Sequence, residues 1–474
     1  MGEGGTICFR PLCGSLRALL IVSFALAQAG VARAEEHAAP EPPAVAVQDG
    51  VAMVSPADMA RMLPGGPQLV RVAFADAPQD PVLGAGQTGA AEALLRRLYA
   101  TGQAAGNHGD LYDNRDRAHS ILPIGNFPQL ARIAYDPALR KAGLDYGVAA
   151  GLIFDAPVIG NSSTALTGGV LWRSLPRFLL TRADGSAGLY QNYVAGQIHL
   201  YPEHRDHDPE RGDLLPANTP YYLISQGSSG SDQPHLAALA MILAAFRPDT
   251  KARLIETGLI APTMQMVYRR ARKNVLSREA YLSGVAHPSV FDADGIDPTR
   301  MVALANAIPP DAVPPMVRLR VVEETGDKEE RLFDTPVAIA RVWRGDAWAR
   351  EMVVSAEATR DPNGRALEFS WVLLRGDPER TRIEPLGPDG RRARITVEWQ
   401  EPRLAPSGLR SARVDIGVFA HNGAFDSAPG FVSVQLPGHE RRVYTVAADG
   451  VQQLAERQRV EGVYVDPLIY PDLP

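Results

Sequence analysis

Apolar residues recur along this chain with two different periods, and the change between them falls at a cluster of prolines. Before that point the periods are mixed. Runs such as LARIAY, GLIF, PRFLLT, QIHLY and YYLIS are strand-length and bounded by Gly, Pro, Asp or Asn, whereas AAEALLRRLYA repeats at helical spacing. The clearest helix begins after Asp232 with Pro234 in its first turn and continues as LAALAMILAAF, apolar on every face and therefore buried. Further helices are expected around TKARLIETG and TMQMVYRRARKNVL, and one from Asp297 and Pro298 through MVALANAI. Because strands mostly precede helices, the order favours an α+β domain over a regular βαβ array.

The proline cluster is AIPPDAVPPMV, with Pro309, Pro310, Pro314 and Pro315. Beyond it the pattern alternates with period two through VRLRVVEE, VAIARVW, EMVVSAEAT, LEFSWVLL, RARITVEW, RVDIGVFAH and FVSVQL. Seven short strands separated by turn residues predict an all-β sandwich. The expected organisation is therefore an α+β domain over 56–310, a sandwich over 316–446 and a tail over 447–474.

The N-terminus departs from both patterns. Arg10 and Arg17 precede the apolar run LRALLIVSFALAQAGV, which ends in Ala32, Arg33 and Ala34, and this is the pattern of a secretory signal over 1–34. Export to a periplasmic or extracellular space follows as an expectation, with an envelope or extracellular partner open. No window approaches the ~20 apolar residues that span a bilayer. Residues 35–55 open with EEHAAPEPPAVAVQDG, rich in Ala and Pro, and are expected to form a disordered tether.

Composition narrows the chemistry. Cys8 and Cys13 both lie in the signal, so the mature chain has no thiol for disulfides, thiolate metal sites or nucleophilic catalysis. Without Glu3, Arg10, Arg17 and Arg33 the totals become 45 basic and 53 acidic residues, a formal charge of −8. Such a balance argues against nucleic acid as a partner.

Candidate chemistry concentrates between His199 and His235, which hold four of the ten histidines. YYLIS followed by QGSSGSD and the buried helix is a strand-turn-helix signature that places backbone N–H groups and small hydroxyls together. It suits a polar or anionic ligand at Ser228, Gly230 and Ser231, or a serine nucleophile, Ser229 before Ser228. Against the nucleophile, the string lacks G-x-S-x-G, and Ser231 or Asp232 capping the helix explains it as well. The adjacent YPEHRDHDP packs His204, Asp206, His207 and Asp208, a set that suggests a catalytic histidine or, through His204, His207 and Asp208, a divalent metal site. Pro202 and Pro209 bracket it and argue for a loop. Upstream, LYDNRDRAHS offers Arg115, Asp116 and His119, and IGNSSTALTGG offers Asn161, Ser162, Ser163 and Thr164 as a second polar turn. The preferred reading is a polar ligand site for a glycan or small anion. The alternative is an extracytoplasmic hydrolase in which Ser229, His204 or His207, Asp206, His119 and Asp116 share one cleft.

One stretch carries a family resemblance. VVSAEATRDPNGRALEFSWVLLRGD, with Asp361, Pro362, Asn363 and Gly364 at a turn and Phe369 and Trp371 on the next strand, resembles the core of a PKD or related immunoglobulin-like domain. RVDIGVFAHNGAFDSAPGFVSVQL resembles that family's closing strands. The resemblance covers roughly a quarter of the chain and implies a non-catalytic β-sandwich with Trp371 in its core. The phrases YPEHRDHDP and ISQGSSGSDQP resemble exported bacterial proteins of uncharacterised activity.

Overall fold

In a computed structural model of the chain, the described residues are 43–61, 67–75, 80–147, 151–166, 173–405 and 408–471. The signal expected over 1–34 lies outside them. Eight strands form the main sheet: β1 (Val45–Gln48), β2 (Val51–Val54), β3 (Val72–Ala73), β4 (Leu111–Asn114), β5 (Ala131–Tyr135), β6 (Val158–Asn161), β7 (Gln197–Pro202) and β8 (Tyr222–Ser225). They lie in the order β8-β7-β6-β4-β5-β2-β1-β3. Every neighbouring pair is parallel except β1 with β2.

The fold is thus mixed α/β, where the strands-then-helices order had suggested α+β. The sequence misleads because β7 connects to β8 with no helix between them, so crossovers do not alternate with strands one for one. The tether expectation is corrected over 43–55, while its first part, 35–42, lies outside the described residues. Val45–Gln48 and Val51–Val54 pair as a hairpin inside the sheet, with Ala52 and Val54 fully buried. Ala and Pro dominate the letters before them, but the short alternation of valines is enough to form two strands within the sheet.

The helix over Gln233–Ala245 is buried along almost its whole length, as its uniformly apolar surface requires. PRFLLT, read as a strand, is instead a helix over Leu175–Thr181. Ser174 caps it by accepting from the Arg177 amide, and Pro176 stands in its first turn, where a missing N–H costs nothing. No described helix is long and apolar enough to cross a membrane.

After the proline cluster the chain forms two further sheets. One is antiparallel, ordered Arg320–Glu324, Ala349–Ser355, Arg392–Glu398, Thr381–Leu386. The other is ordered Arg331–Asp334, Ala338–Val342, Gly430–Gln435, Arg413–His421, Glu368–Arg375, with a single parallel pairing between Ala338–Val342 and Gly430–Gln435. Their apolar residues, among them Ile339, Trp343, Met352, Ile395, Trp399 and Val432, form one buried cluster. Trp371 only packs against its margin, and its indole N–H donates to the Gly390 carbonyl at 2.8 Å. Part of the expected tail is also ordered, since Glu440–Val446 and Gln452–Arg459 pair as a hairpin.

The prolines mark a change of architecture but not of core. Phe333, Ala338, Leu374, Phe419 and Phe431 join the same apolar cluster as the Gln233–Ala245 helix. The described residues make one compact unit.

Candidate functional site

Parallel sheets present the carboxyl ends of their strands on one edge, and crevices open there where successive strands run to opposite sides of a neighbour. Here β5 and β6 flank β4, and the residues leaving β4, β6, β7 and β8 meet at that edge. Beneath it lies a closed buried layer. Asp113 receives Arg115 Nε at 2.5 Å, the Tyr135 hydroxyl at 3.0 Å and sits 3.2 Å from His199 Nε2. Burial pushes the Asp113 carboxyl up, but Arg115 and His199 outweigh it and hold the group at about 2. Burial lowers His199, and the neighbouring Arg115 charge lowers it further. Gly160 on β6 makes room for this layer, since a Cβ there would come within 2.5 Å of the His199 ring.

Above it, Asn161 uses its whole amide. It accepts from the Tyr112 hydroxyl at 2.8 Å and donates to the Ser120 carbonyl at 2.7 Å and Asp232 Oδ2 at 2.6 Å. The second Asp232 oxygen takes the Ser120 hydroxyl. Asp116 Oδ2 receives the Ser120 amide at 3.0 Å and the Ser163 hydroxyl at 3.0 Å. His119 Nδ1 lies 3.0 Å from the same Ser163 oxygen. Because the Ser163 proton is directed at Asp116, His119 Nδ1 is assigned as the donor to the Ser163 oxygen. Buried Asp116 and Ser163 therefore lie under an exposed imidazole.

His204 completes the face. Burial lowers its pKa, the Ser163 carbonyl and Asp232 partly restore it, and His119 lowers it again. Its Nε2 is buried without a hydrogen-bond partner. The backbone at this mouth is unusual: Arg117, Ala118, His204 and Arg205 all have φ between +47° and +71°. Left-handed backbone costs a non-glycine residue roughly 1–2 kcal/mol. Strain of this kind persists only where surrounding bonds hold it, and it clusters at functional sites. Glu203 supplies part of that hold, accepting from the Arg205 amide at 2.6 Å and the Gly227 amide at 3.1 Å.

The structure sorts the sequence candidates into three groups. His119, Asp116 and His204 come together. Arg115, Asn161 and Ser162 adjoin them but are framework: Arg115 is engaged with Asp113, Asn161 is saturated, and the Ser162 hydroxyl donates to the Arg115 carbonyl at 3.2 Å. The others stand apart from the His119–Ser163–Asp116 row. Asp206 pairs with Arg177 at 2.8 Å and accepts the Ser174 amide at 2.8 Å, and burial pushes it up to about 6 despite Arg177. His207 lies on a short strand beside Asp213, Arg375 and Arg413. Asp208 closes a turn by accepting the Glu210 and Arg211 amides at 3.1 and 2.8 Å. His204, His207 and Asp208 thus form no metal centre, and no group of three His, Cys, Asp or Glu placed for a metal ion occurs among the described residues.

Ser228, Ser229 and Gly230 lie in the expected strand-to-helix turn, but neither Ser228 nor Ser229 is hydrogen-bonded to a histidine; the Ser231 hydroxyl is 2.9 Å from that of Ser225. Asp232 occupies the helix N-cap position without capping, because its carboxylate is turned to Ser120 and Asn161. Ser163 is the serine that meets a histidine and a carboxylate. The signal for it was its place just past an apolar run ending in Asn161, at the carboxyl end of a strand.

No family model matches this chain, and no curated protein matches it. Among solved structures it is similar to a nucleoside hydrolase-related hypothetical protein from Saccharophagus degradans associated with carbohydrate metabolism. The identity is 10%, the match covers 59% of this chain and 71% of that one, and the TM-score is 0.20. A likeness of that size assigns no activity.

Proposed function

We propose that this is an exported protein that binds a neutral, hydroxyl-rich small molecule, a glycan or glycan fragment, at the carboxyl edge of its parallel sheet. The observation that carries the reading is the row His119–Ser163–Asp116, linked at 3.0 Å on each side, with the unpartnered His204 Nε2 beside it. Imidazole nitrogens and carboxylates offer acceptors for ligand hydroxyls, and neutral His rings also donate. The anionic ligand is disfavoured. Asp116 and Asp232 place two buried carboxylates under the mouth, and the one arginine expected to hold an anion, Arg115, is bound to Asp113. In this reading the residues beyond the proline cluster form a PKD-like immunoglobulin sandwich that supports the binding half without chemistry of its own, and the apolar N-terminal run directs export.

Titration of the full chain with a panel of neutral oligosaccharides, followed by calorimetry, tests the proposal. Binding that is lost in His119→Ala and His204→Asn supports it. Binding of inorganic phosphate instead of any sugar counts against it.

A second reading has its own observation. Ser163 donates to Asp116, a carboxylate placed to take its proton if the serine attacks, while His119 contacts the same hydroxyl oxygen. Turnover of a chromogenic ester by the full chain, abolished in Ser163→Ala, would favour hydrolysis over binding alone.

A further inference from the structure

The chain returns to the candidate site at its far end. Residues 460–471 contain no regular secondary structure, yet they are firmly attached at both ends of their path. On one side Ile469 is buried, its carbonyl accepts Arg344 Nε at 3.0 Å, and the Tyr470 ring packs edge-on against His439 at 4.9 Å. On the other side Asp466 reaches two buried arginines, Arg173 just before the Leu175–Thr181 helix at 3.4 Å and Arg177 within it at 3.3 Å. The Tyr464 hydroxyl lies 3.2 Å from Arg177, whose guanidinium also covers the Tyr464 ring at 5.1 Å.

Arg177 does not stop there. It also grips Asp206 at 2.8 Å, and Asp206 is the second residue after His204. The other Asp206 oxygen accepts the Ser174 amide, its backbone amide donates to the Glu203 carbonyl, and its own carbonyl accepts the Leu214 amide. Glu203 pins the opposite side of the same turn through the Arg205 and Gly227 amides. His204 and Arg205, both left-handed, are thus stretched between two carboxylates, and one of those carboxylates is held by an arginine shared with the C-terminal segment.

We infer that the C-terminal segment is a strap whose Asp466 and Tyr464, acting through Arg177 and Asp206, position the His204 imidazole at the mouth of the candidate site. Two side chains some 260 residues further along the chain than His204 become positioning residues for it. Their effect passes through the turn. The inference rests on His204 being a site residue, but its test needs no ligand.

The test is the titration midpoint of the His204 ring proton by NMR in the full chain, with His204→Asn identifying the resonance. Burial keeps that midpoint low, so a turn released into water moves it upward toward the ordinary imidazole value of about 6.5. Asp466→Asn is expected to raise the midpoint by about half a pH unit or more, and to speed tryptic cleavage after exposed Arg205. Leu468→Ala, an exposed neighbour on the same segment, is expected to change neither. If Asp466→Asn does not fold, Tyr464→Phe keeps the ring and removes only the hydroxyl, and its midpoint decides. A variant that melts earlier while its His204 midpoint and Arg205 cleavage match the wild type overturns the strap and leaves a structural tie. A chain that binds no sugar but shows the raised midpoint removes the proposed function and leaves the strap in place.

Discussion

At the carboxyl edge of the parallel sheet stand four of the six non-glycine residues with positive φ found among the described residues, together with a histidine nitrogen and a carboxylate oxygen of Asp116 that are buried without partners. Around Arg413, where the two halves of the chain meet, the polar cluster is equally buried and its charges are paired with one another, although His207 beside them keeps both ring nitrogens buried without a hydrogen-bond partner. Arg413 contacts Asp415 at 2.8 Å and Asp213 at 3.2 Å, Arg375 also pairs with Asp213, and Ser433 donates to Asp415 at 2.7 Å. Arg413 and Arg375 outweigh burial and hold Asp213 well below the usual carboxylate range. No non-glycine residue beyond Arg205 has positive φ among the described residues. The difference separates polarity that welds a fold from polarity that waits for something. A network of mutually paired charges on unstrained backbone can only be broken, whereas strained backbone around an unpaired carboxylate oxygen has bonds left to give.

That contrast fails most visibly if Arg413 proves dispensable. Arg413→Ala leaves two buried carboxylates, Asp213 and Asp415, to share Arg375 alone and should cost about 3–5 kcal/mol, read as a large fall in Tm or in the urea midpoint. Ligand affinity measured on whatever remains folded should be unchanged.

Next in size is a pH effect outside both clusters. Asp206, at about 6 in the folded chain, lies above its ordinary value of about 3.9, so its ionised form is the disfavoured one in the fold. The stability it withholds is present below about 3.9 and is lost as pH rises through about 6, a swing on the order of 3 kcal/mol. The stability of wild type relative to Asp206→Asn should therefore grow as pH is lowered from 7 to 5. A constant difference would contradict the burial of that carboxylate.

Gly160→Ala should cost about 1–3 kcal/mol, because the new methyl meets the His199 ring and the Asp113 carbonyl inside a packed layer. Its loss of stability tests whether the layer beneath the site is as tight as its distances. The smallest effect has the opposite sign: His204→Gly should stabilise the fold by about 1 kcal/mol by relieving left-handed strain while weakening ligand binding. A destabilised His204→Gly would place His204 among the welding residues and erase the distinction.

The legible and illegible parts of this molecule divide along physical lines. The Gln233–Ala245 helix and most of the later strands were readable because burial imposes a period on the letters. Parallel pairing was not, since register between strands far apart in sequence leaves no local trace, and PRFLLT has the letters of a short strand although Ser174 and Pro176 spell a helix start. Density of polar letters singles out His119, Asp116 and His204, which the fold brings near one another. It also gathered Asp206, His207 and Asp208, because adjacency in sequence says nothing about which way a two-proline loop turns its side chains. Ser163 and Asp232 were each visible as turn or cap residues; what joins them is the sheet order β8-β7-β6-β4, which only the fold supplies.

The most direct measurement is calorimetric titration of the full chain with neutral oligosaccharides, repeated for His119→Ala, His204→Asn and Arg375→Lys. The account predicts saturable binding that falls at least about tenfold, roughly 1.4 kcal/mol, in each histidine variant and stays unchanged in Arg375→Lys. Binding that survives both histidine substitutions, or that is lost only with Arg375, would place the ligand elsewhere and contradict the assignment of the carboxyl edge.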